Sequence, residues 1–337
     1  MLFQSAYGID LGTDTVKIYD HYSRRIVKEK NMVAVRGKDQ VIAVGDEAYA
    51  MYERTPDDIR IVTPVSNGRI NNLKLTEAVL HTLLRRCGNH MRSRSVLYFS
   101  VPMDMTELER RAYASIARKG QLRRCQIWMV EKPIADAIAL GIPIHRTKGA
   151  MIINMGARNT ELAVIADKRV IIDRLIPVGG DRFTEAIAEG ILRRRQFLVS
   201  FRTAQRLKFS CVRLSDPLQE GRRVNGMDVS RSLPGSAVIQ TGMAEALVRE
   251  ELSGLTDEIR RFTDRIPPQV RQAVQGEGIY LTGGSSQIPG IGDFMRQQLN
   301  CPVHVSEKYE LCTAAGLREI ITHTELQHWA FAPRPRR

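Results

Sequence analysis

The sequence predicts an α/β layer fold built from two related halves, and three observations carry that expectation. Segments of strand and helix character alternate along the chain, as in α/β layer folds. An apolar run, a polar turn containing glycine and a second apolar run occupy Tyr7 to Tyr19, and the same sequence of features returns at Met151 to Ile165. The 337 residues exceed what one ordinary core needs, which favours two domains or one large domain split by a cleft.

Taken in order, YGIDLGTDTVKIY (7–19) reads as a β-hairpin with a polar tip. Short strands are expected at 41–45 and 60–64, and Leu75 to Arg86 has apolar residues at helical spacing. VLYFSVP (96–102) is the next strand. Thr106 with Glu109 forms a capping box that opens a helix to about Lys119, and 126–130 is another short strand. Pro133 to Leu140 is a helix with proline in its first turn, stopped by Gly141. After a linker the second hairpin follows, then helices at 181–195, 202–212 and 243–264. Residues 215–241 are short alternating runs broken by Pro217, Gly221, Gly226, Pro234 and Gly235. The strand 278–284 leads into a helix near 290–299. The expected domains are 1–145, with a small subdomain near 30–70, and 146–321, with one near 183–242; 322–337 is a tail.

Composition narrows the function classes. Hydrophobic residues at 43% and charged residues at 26% exclude fibrous and low-complexity chains. Fifty Lys and Arg against 37 Asp and Glu leave a formal charge of +13, which attracts anionic surfaces. Lipid and nucleic acid both fit that charge, as does plain solubilising charge. Aromatics at 6%, with no zinc-finger spacing or RNP-like motif, make nucleic acid the poorer partner. The five cysteines show no C-x-x-C pairing, and their odd count argues against a disulfide framework or zinc site and for a reduced cytoplasm. No signal peptide is read at the N-terminus, and no apolar run reaches the roughly 18 residues of a bilayer span. Membrane contact is therefore expected to be peripheral.

Three turns carry the chemistry. The tip Asp10-Leu11-Gly12-Thr13-Asp14-Thr15 offers backbone N–H groups for a phosphate and an acid able to hold a metal through water. Met155-Gly156-Ala157-Arg158-Asn159-Thr160 is its counterpart in the second half. Thr282-Gly283-Gly284-Ser285-Ser286 lies between a strand and a helix, where close backbone approach suits an adenosine or phosphate group. Their order and spacing are more specific than any one turn, since an Asp-Leu-Gly-Thr turn alone is usually just a hairpin.

Together GIDLGTDTVKIY, VEKPIADAIALG, MIINMGARNTELAVI and LTGGSSQIPGI resemble the phosphate-1, connect-1, phosphate-2 and adenosine motifs of the actin-like ATPase superfamily. Within it the chain is most similar to the MreB family of bacterial actin homologues, over roughly Ala6 to Ile321. Further matching stretches include VPMDMTELERRA, IPVGGDRFTEAI and RTAQRLK. The resemblance implies two α/β domains flanking an ATP cleft, each with a small subdomain, and assembly into protofilaments at the inner face of the cytoplasmic membrane. Carried over by motif, Gly12, Thr13, Asp14 and Thr15 would wrap the β and γ phosphates with Lys17 nearby. Gly156, Ala157, Arg158 and Asn159 would close the other side. Gly283, Gly284, Ser285, Ser286 and Gln287 would meet the adenosine, and Gln205 and Lys208 stand where relatives place groups near the ribose. Asp10 would be the acid of the Mg²⁺ site. Lys17 is read either as a phosphate contact or as a solvated strand-edge lysine.

The departures fall on the catalytic positions. Relatives have a water-positioning glutamate before the connect-1 proline; here that residue is Lys132, and a cation cannot accept the water's proton. Glu131 is one residue away, off the same helix face. Asn154 replaces the aspartate that opens phosphate-2. Both changes make the site more positive, so Mg²⁺ binding is expected to weaken and phosphate to rely on Lys17, Lys132 or Arg158. Arg158, in place of a glycine, either clamps a phosphate or blocks it; alternatively Arg158 and Lys132 both point to solvent and the site binds nothing. The expected protein is an MreB-type filament former that binds ATP or ADP with weak or absent hydrolysis. An ordinary active ATPase filament using Glu131 or Asp14, and a non-polymerising adaptor, are the alternatives.

Implied partners are the chain itself, other MreB-type subunits and membrane proteins of the cell-elongation complex. For an anionic lipid surface the candidate contacts are Leu2 and Phe3 at the N-terminus, Met91 in a basic loop, and Trp329 and Phe331 in an Arg-rich tail. That tail also reads as a folded-back cap or a disordered end.

Overall fold

The computed structural model describes residues 5–38, 40–88, 95–116, 122–216 and 219–333. Leu2, Phe3, Met91, Pro217, the expected helix end at Lys119 and the terminal arginines lie outside the described residues. The chain forms two compact units, Met1–Pro143 with Leu311–Arg337, and Ile144–Glu310.

The first unit contains β1 (Ala6–Leu11), β2 (Thr15–Asp20), β3 (Arg25–Lys30), β4 (Val33–Arg36), β5 (Gln40–Val44), α1 (Asp46–Met51), β6 (Ile59–Val62), β7 (Val65–Ser66), β8 (Arg69–Ile70), α2 (Leu73–Arg86), β9 (Val96–Val101), α3 (Glu107–Ile116), β10 (Gln126–Glu131) and α4 (Lys132–Ala139). Its main sheet runs β3-β2-β1-β9-β10. The two hairpin pairings are antiparallel, and β1-β9 and β9-β10 are parallel. Every residue of β1, β2 and β9 is buried, as expected of strands covered on both faces. Glu109 accepts hydrogen bonds from the Thr106 N–H at 2.7 Å and hydroxyl at 2.8 Å, so the anticipated capping box opens α3. The helix expected from Leu75 starts two residues earlier, because the Asn72 side chain caps it by accepting from the Leu75 N–H.

The second unit contains β11 (Ala150–Met155), β12 (Thr160–Ala166), β13 (Arg169–Ile176), α5 (Gly180–Arg195), β14 (Phe197–Leu198), α6 (Phe201–Cys211), β15 (Gly221–Asp228), β16 (Leu233–Gln240), α7 (Thr241–Thr263), α8 (Pro268–Glu277), β17 (Ile279–Thr282), α9 (Ile291–Leu299) and β18 (Val303–Val305). Its main sheet, β13-β12-β11-β17-β18, repeats the first sheet strand for strand, with the same two antiparallel and two parallel pairings. The duplication read from two hairpins thus extends to whole sheets. Within the broken run, 221–240 forms an antiparallel hairpin, β15 with β16, whose register holds through Gly226, Pro234 and Gly235.

The remaining helix, α10 (Cys312–Thr322), sits in the first unit although the sequence reading gave it to the second domain. It packs on α4, and the Thr313 hydroxyl donates to buried Asp136 at 2.6 Å. Gly316 allows the crossing, because a Cβ there would collide with the Ala135 backbone. The strands β3 and β13 are also absent from the sequence reading. Both are sheet edges, half exposed and interspersed with charge, which protects an edge from further pairing and blurs its alternation.

Candidate functional site

In the first unit the parallel strands β1, β9 and β10 end along one sheet edge, the usual place for ligand groups in α/β sheets. Asp10 and Lys17 are directly opposite each other across the β1-β2 hairpin. They are only 4% and 7% exposed, and the ammonium donates to Asp10 Oδ2 at 3.2 Å. From the neighbouring strand the Ser100 hydroxyl donates to Oδ1 at 2.9 Å. Lys132, in the first turn of α4, adds its charge. Burial alone raises the Asp10 pKa, but Lys17, Lys132 and the Ser100 hydrogen bond outweigh it and hold the carboxyl below its ordinary value.

The turn between β1 and β2 is fixed from outside. Asn31 donates its side-chain amide to the carbonyls of Thr13 and Val65, and the Thr13 hydroxyl accepts the Asn67 N–H at 2.8 Å. Both oxygens of Asp14 take the Lys30 ammonium at 2.8 Å. Asp14 is therefore engaged by a lysine, which disfavours it as a water-positioning base. Of the other expected residues, Gly12 and Thr13 are half-buried at the tip and Thr15 is buried as the first residue of β2.

In the second unit β11 and β17 are parallel neighbours, with Asn154 level with Thr282, so both following turns leave the same sheet edge. The phosphate-2 turn closes on itself through the Gly156 N–H to the Asn159 carbonyl at 2.8 Å. The Gly156 carbonyl accepts the Gly180 N–H and the Ser285 hydroxyl, both at 3.0 Å, and the Ala157 carbonyl accepts the Asp181 N–H at 2.7 Å. Gly283 has φ +91°, and a Cβ there would strike the Met155 carbonyl oxygen and lie 2.7 Å from Asn154 Oδ1. Only glycine combines that dihedral with that approach. Ser286 turns its hydroxyl back to the Gly283 carbonyl, Gly284 is half-buried and Gln287 is exposed.

On α6, Gln205 and Lys208 are three residues apart and share a face. The Lys208 ammonium is buried and donates to the Gly180 carbonyl at 2.6 Å, so it braces the start of α5 as well as standing where a ribose was expected. Arg158 is about half exposed, its guanidinium 3.7 Å from Asp181, a placement over the first turn of α5. Asn159 is buried, and its Nδ2 has no hydrogen-bond partner among the described residues.

Sequence reading missed Ser100, Asn31, Lys30 and the Gly180-Asp181 corner as parts of this set. Ser100 has a plain strand context, and its role appears only when β9 is registered beside β1. The tail takes the folded-back form: the Met129 and Phe331 backbones exchange N–H to carbonyl bonds at 2.8 and 2.9 Å. Arg110 lies 5.6 Å from the centre of the Phe331 ring, which is partly buried on the core, and Trp329 is half-buried. Phe331 thus lies against the first unit, which is the folded-back form of the tail. All five cysteines are free thiols. Among the described residues no helix is long and apolar enough to cross a membrane.

The Mg²⁺ expectation meets a poor donor set. Mg²⁺ takes six oxygens in near-ideal octahedral geometry. Asp10 offers one carboxylate already bonded at both oxygens, Asp14 is paired with Lys30, and Asn154 brings an amide where a second charge was required. No group of three His, Cys, Asp or Glu suited to a metal occurs among the described residues. These residues therefore offer Mg²⁺ a weaker acidic set than an aspartate at position 154 would give.

A profile of the MreB/Mbl protein family matches residues 4–328. The cell shape-determining protein MreB of Escherichia coli (strain K12) is 28% identical over 324 residues, covering 94% of this chain and 92% of that protein. Among solved structures, MreB5 of Spiroplasma citri bound to ADP has a TM-score of 0.89 at 24% identity, over 97% of this chain and 98% of that one. A subunit of the MamK double helical filament has a TM-score of 0.77 at 16% identity, over 95% and 99%. The fold is the actin-like ATPase fold that the sequence predicts.

Proposed function

Since the chain belongs to the MreB/Mbl protein family, we propose that it is an actin-like cytoskeletal protein of cell-shape determination that binds ATP or ADP, assembles with itself and hydrolyses the nucleotide slowly or not at all. The observation that carries the nucleotide reading is Asn159. Its buried Nδ2, without a partner among the described residues, sits in the phosphate-2 turn, and an unmet buried donor costs about 1–3 kcal/mol. A phosphate oxygen satisfies it. The ADP bound by Spiroplasma MreB5 supports the same ligand, and the MamK filament supports self-association.

Slow hydrolysis follows from Lys132 and Asp14. An ammonium occupies the first turn of α4, where the family's water-positioning carboxylate belongs, and the nearest acid of the phosphate-1 turn is held by Lys30. General-base assistance is worth about 10²- to 10⁴-fold, so its loss leaves a nucleotide-bound but nearly inert subunit. The remaining implied features belong to this reading: a cytoplasmic protein peripheral on the inner membrane face, attracted to anionic lipid by its +13 charge, with other MreB-type subunits and membrane proteins of the elongation complex as partners.

The test is sedimentation and electron microscopy of the purified chain with ATP, with phosphate release followed on the same sample. Filaments with release at least about tenfold slower than Escherichia coli MreB are expected. Release at the relative's rate would point to an ordinary ATPase filament. Nucleotide binding without any assembly would point to an adaptor.

A further inference from the structure

The small sheet of the second unit has one buried and one exposed face. In its order β14-β15-β16, Leu198 is level with Met227 and Met227 with Pro234, so these residues form a row across all three strands. The opposite face carries Phe197, Val224 and Ile239, which are buried in the core of the unit. Leu198 and Met227 are instead exposed, and Leu233, which opens β16 after the turn 229–232, is 59% exposed. Core packing accounts for the inner set, whereas the outer aliphatic row is left in contact with solvent, as at contact sites. Cations gather at the same end. The Val229 N–H donates to the Gln196 carbonyl at 2.9 Å, which ties the hairpin turn to the end of α5, where Arg193, Arg194 and Arg195 are all exposed. The acids of α5, Glu185 and Glu189, are engaged by Arg182 rather than by these three. Arg231 in the turn is exposed too, and Asp228, the one acid of the hairpin sequence 221–240, accepts the Ser230 hydroxyl at 2.6 Å.

We infer that this outer face and its turn dock on an anionic lipid bilayer, with the aliphatic side chains entering the headgroup layer and the arginines pairing with lipid phosphates. The inference rests on the reading above that anionic lipid attracts this chain, and deepens it by naming the surface. Charge complementarity selects a bilayer over a second copy, because a partner that itself carries a charge of +13 is repelled by a turn rich in guanidinium groups. The exposed set also lacks the tryptophan or tyrosine that anchors protein interfaces. Aliphatic side chains beside arginines instead combine burial of apolar area with attraction to anionic headgroups, the two contributions that hold a protein at a membrane surface.

The experiment is flotation of the full chain, without nucleotide, on vesicles of phosphatidylcholine alone and with phosphatidylglycerol added. Binding to the anionic vesicles is expected. Replacing Arg193, Arg194 and Arg195 together by glutamine should weaken it at least about tenfold, since each arginine near such a surface contributes a several-fold gain. Met227→Ser with Leu233→Ser should weaken it about tenfold while leaving its salt dependence in place. A charge-matched control, Arg123→Gln, Arg124→Gln and Lys148→Gln, removes three exposed cations elsewhere and should change binding less than about twofold. An equal loss in the control means that overall charge drives binding, and overturns the inference while leaving the attraction to lipid intact. No flotation with anionic vesicles overturns both. Variants that abolish assembly in sedimentation but float unchanged would assign the face to a second copy and refute the bilayer. Leu233→Trp gives a direct readout: its emission should shift to the blue on anionic vesicles and be quenched by brominated lipid more than that of the unsubstituted chain. Absence of that quenching would refute insertion even if the other variants lose their fold by circular dichroism.

Discussion

The Asp10–Lys17 pair gives the sharpest quantitative expectation. Both groups are almost fully buried, at 4% and 7% exposure, with 3.2 Å between Nζ and Oδ2. At an effective dielectric of about 20, that separation corresponds to about 5 kcal/mol of attraction, much of it offset by desolvation. A double-mutant cycle with Asp10→Asn and Lys17→Met is therefore expected to return a coupling of about 2–3 kcal/mol. Both tryptophans, Trp128 and Trp329, lie in the first unit, so urea unfolding followed by tryptophan fluorescence reports on the unit that holds the pair. The pH dependence has a definite sign. Asp10 is held below its unfolded pKa of about 3.9, so its stabilisation is complete above that value and disappears as pH falls through the folded pKa. Lys17→Met removes the largest lowering influence and leaves burial opposed only by Lys132 and the Ser100 hydrogen bond. Its destabilisation should be full at pH 7 and should narrow as the carboxyl protonates below about pH 4. A coupling below about 0.5 kcal/mol, or a deficit that does not change with pH, would refute the electrostatic account.

Two further outcomes follow from close contacts. Gly283→Ala places a methyl against the Met155 carbonyl at a φ of +91°, so calorimetry should show the second unit destabilised by about 1–3 kcal/mol, with weaker nucleotide binding; an unchanged melt contradicts the described turn. Deleting residues 330–337 removes the acceptor of the Met129 N–H, so hydrogen exchange at that amide should accelerate at least about tenfold if the tail caps the unit, and stay constant if it does not.

Legibility in the sequence tracks the range of the interaction. The two hairpins, the capping box of α3 and the proline-started α4 depend on neighbours a few residues away, and each was read correctly. Chemical identity was legible too: Lys132 for an acid, Asn154 for an aspartate. The meaning of those replacements was not. Arg158 and Lys132 looked alike as cations near a phosphate turn, yet one is half exposed beside Asp181 and the other bears on buried Asp10.

The sequence by itself determined the duplicated α/β plan, the three turns and the loss of family acids, because local patterning and residue identity carry them. Only the tertiary structure decided that Ser100 and Lys17 converge on one carboxylate, that Lys208 braces Gly180, and that α10 returns to the first unit. Each of these depends on strand register or on a helix crossing between residues far apart in the chain, such as Asp136 with Thr313. Such pairings are fixed by packing of whole layers, where a single-residue slip would put every side chain on the other face.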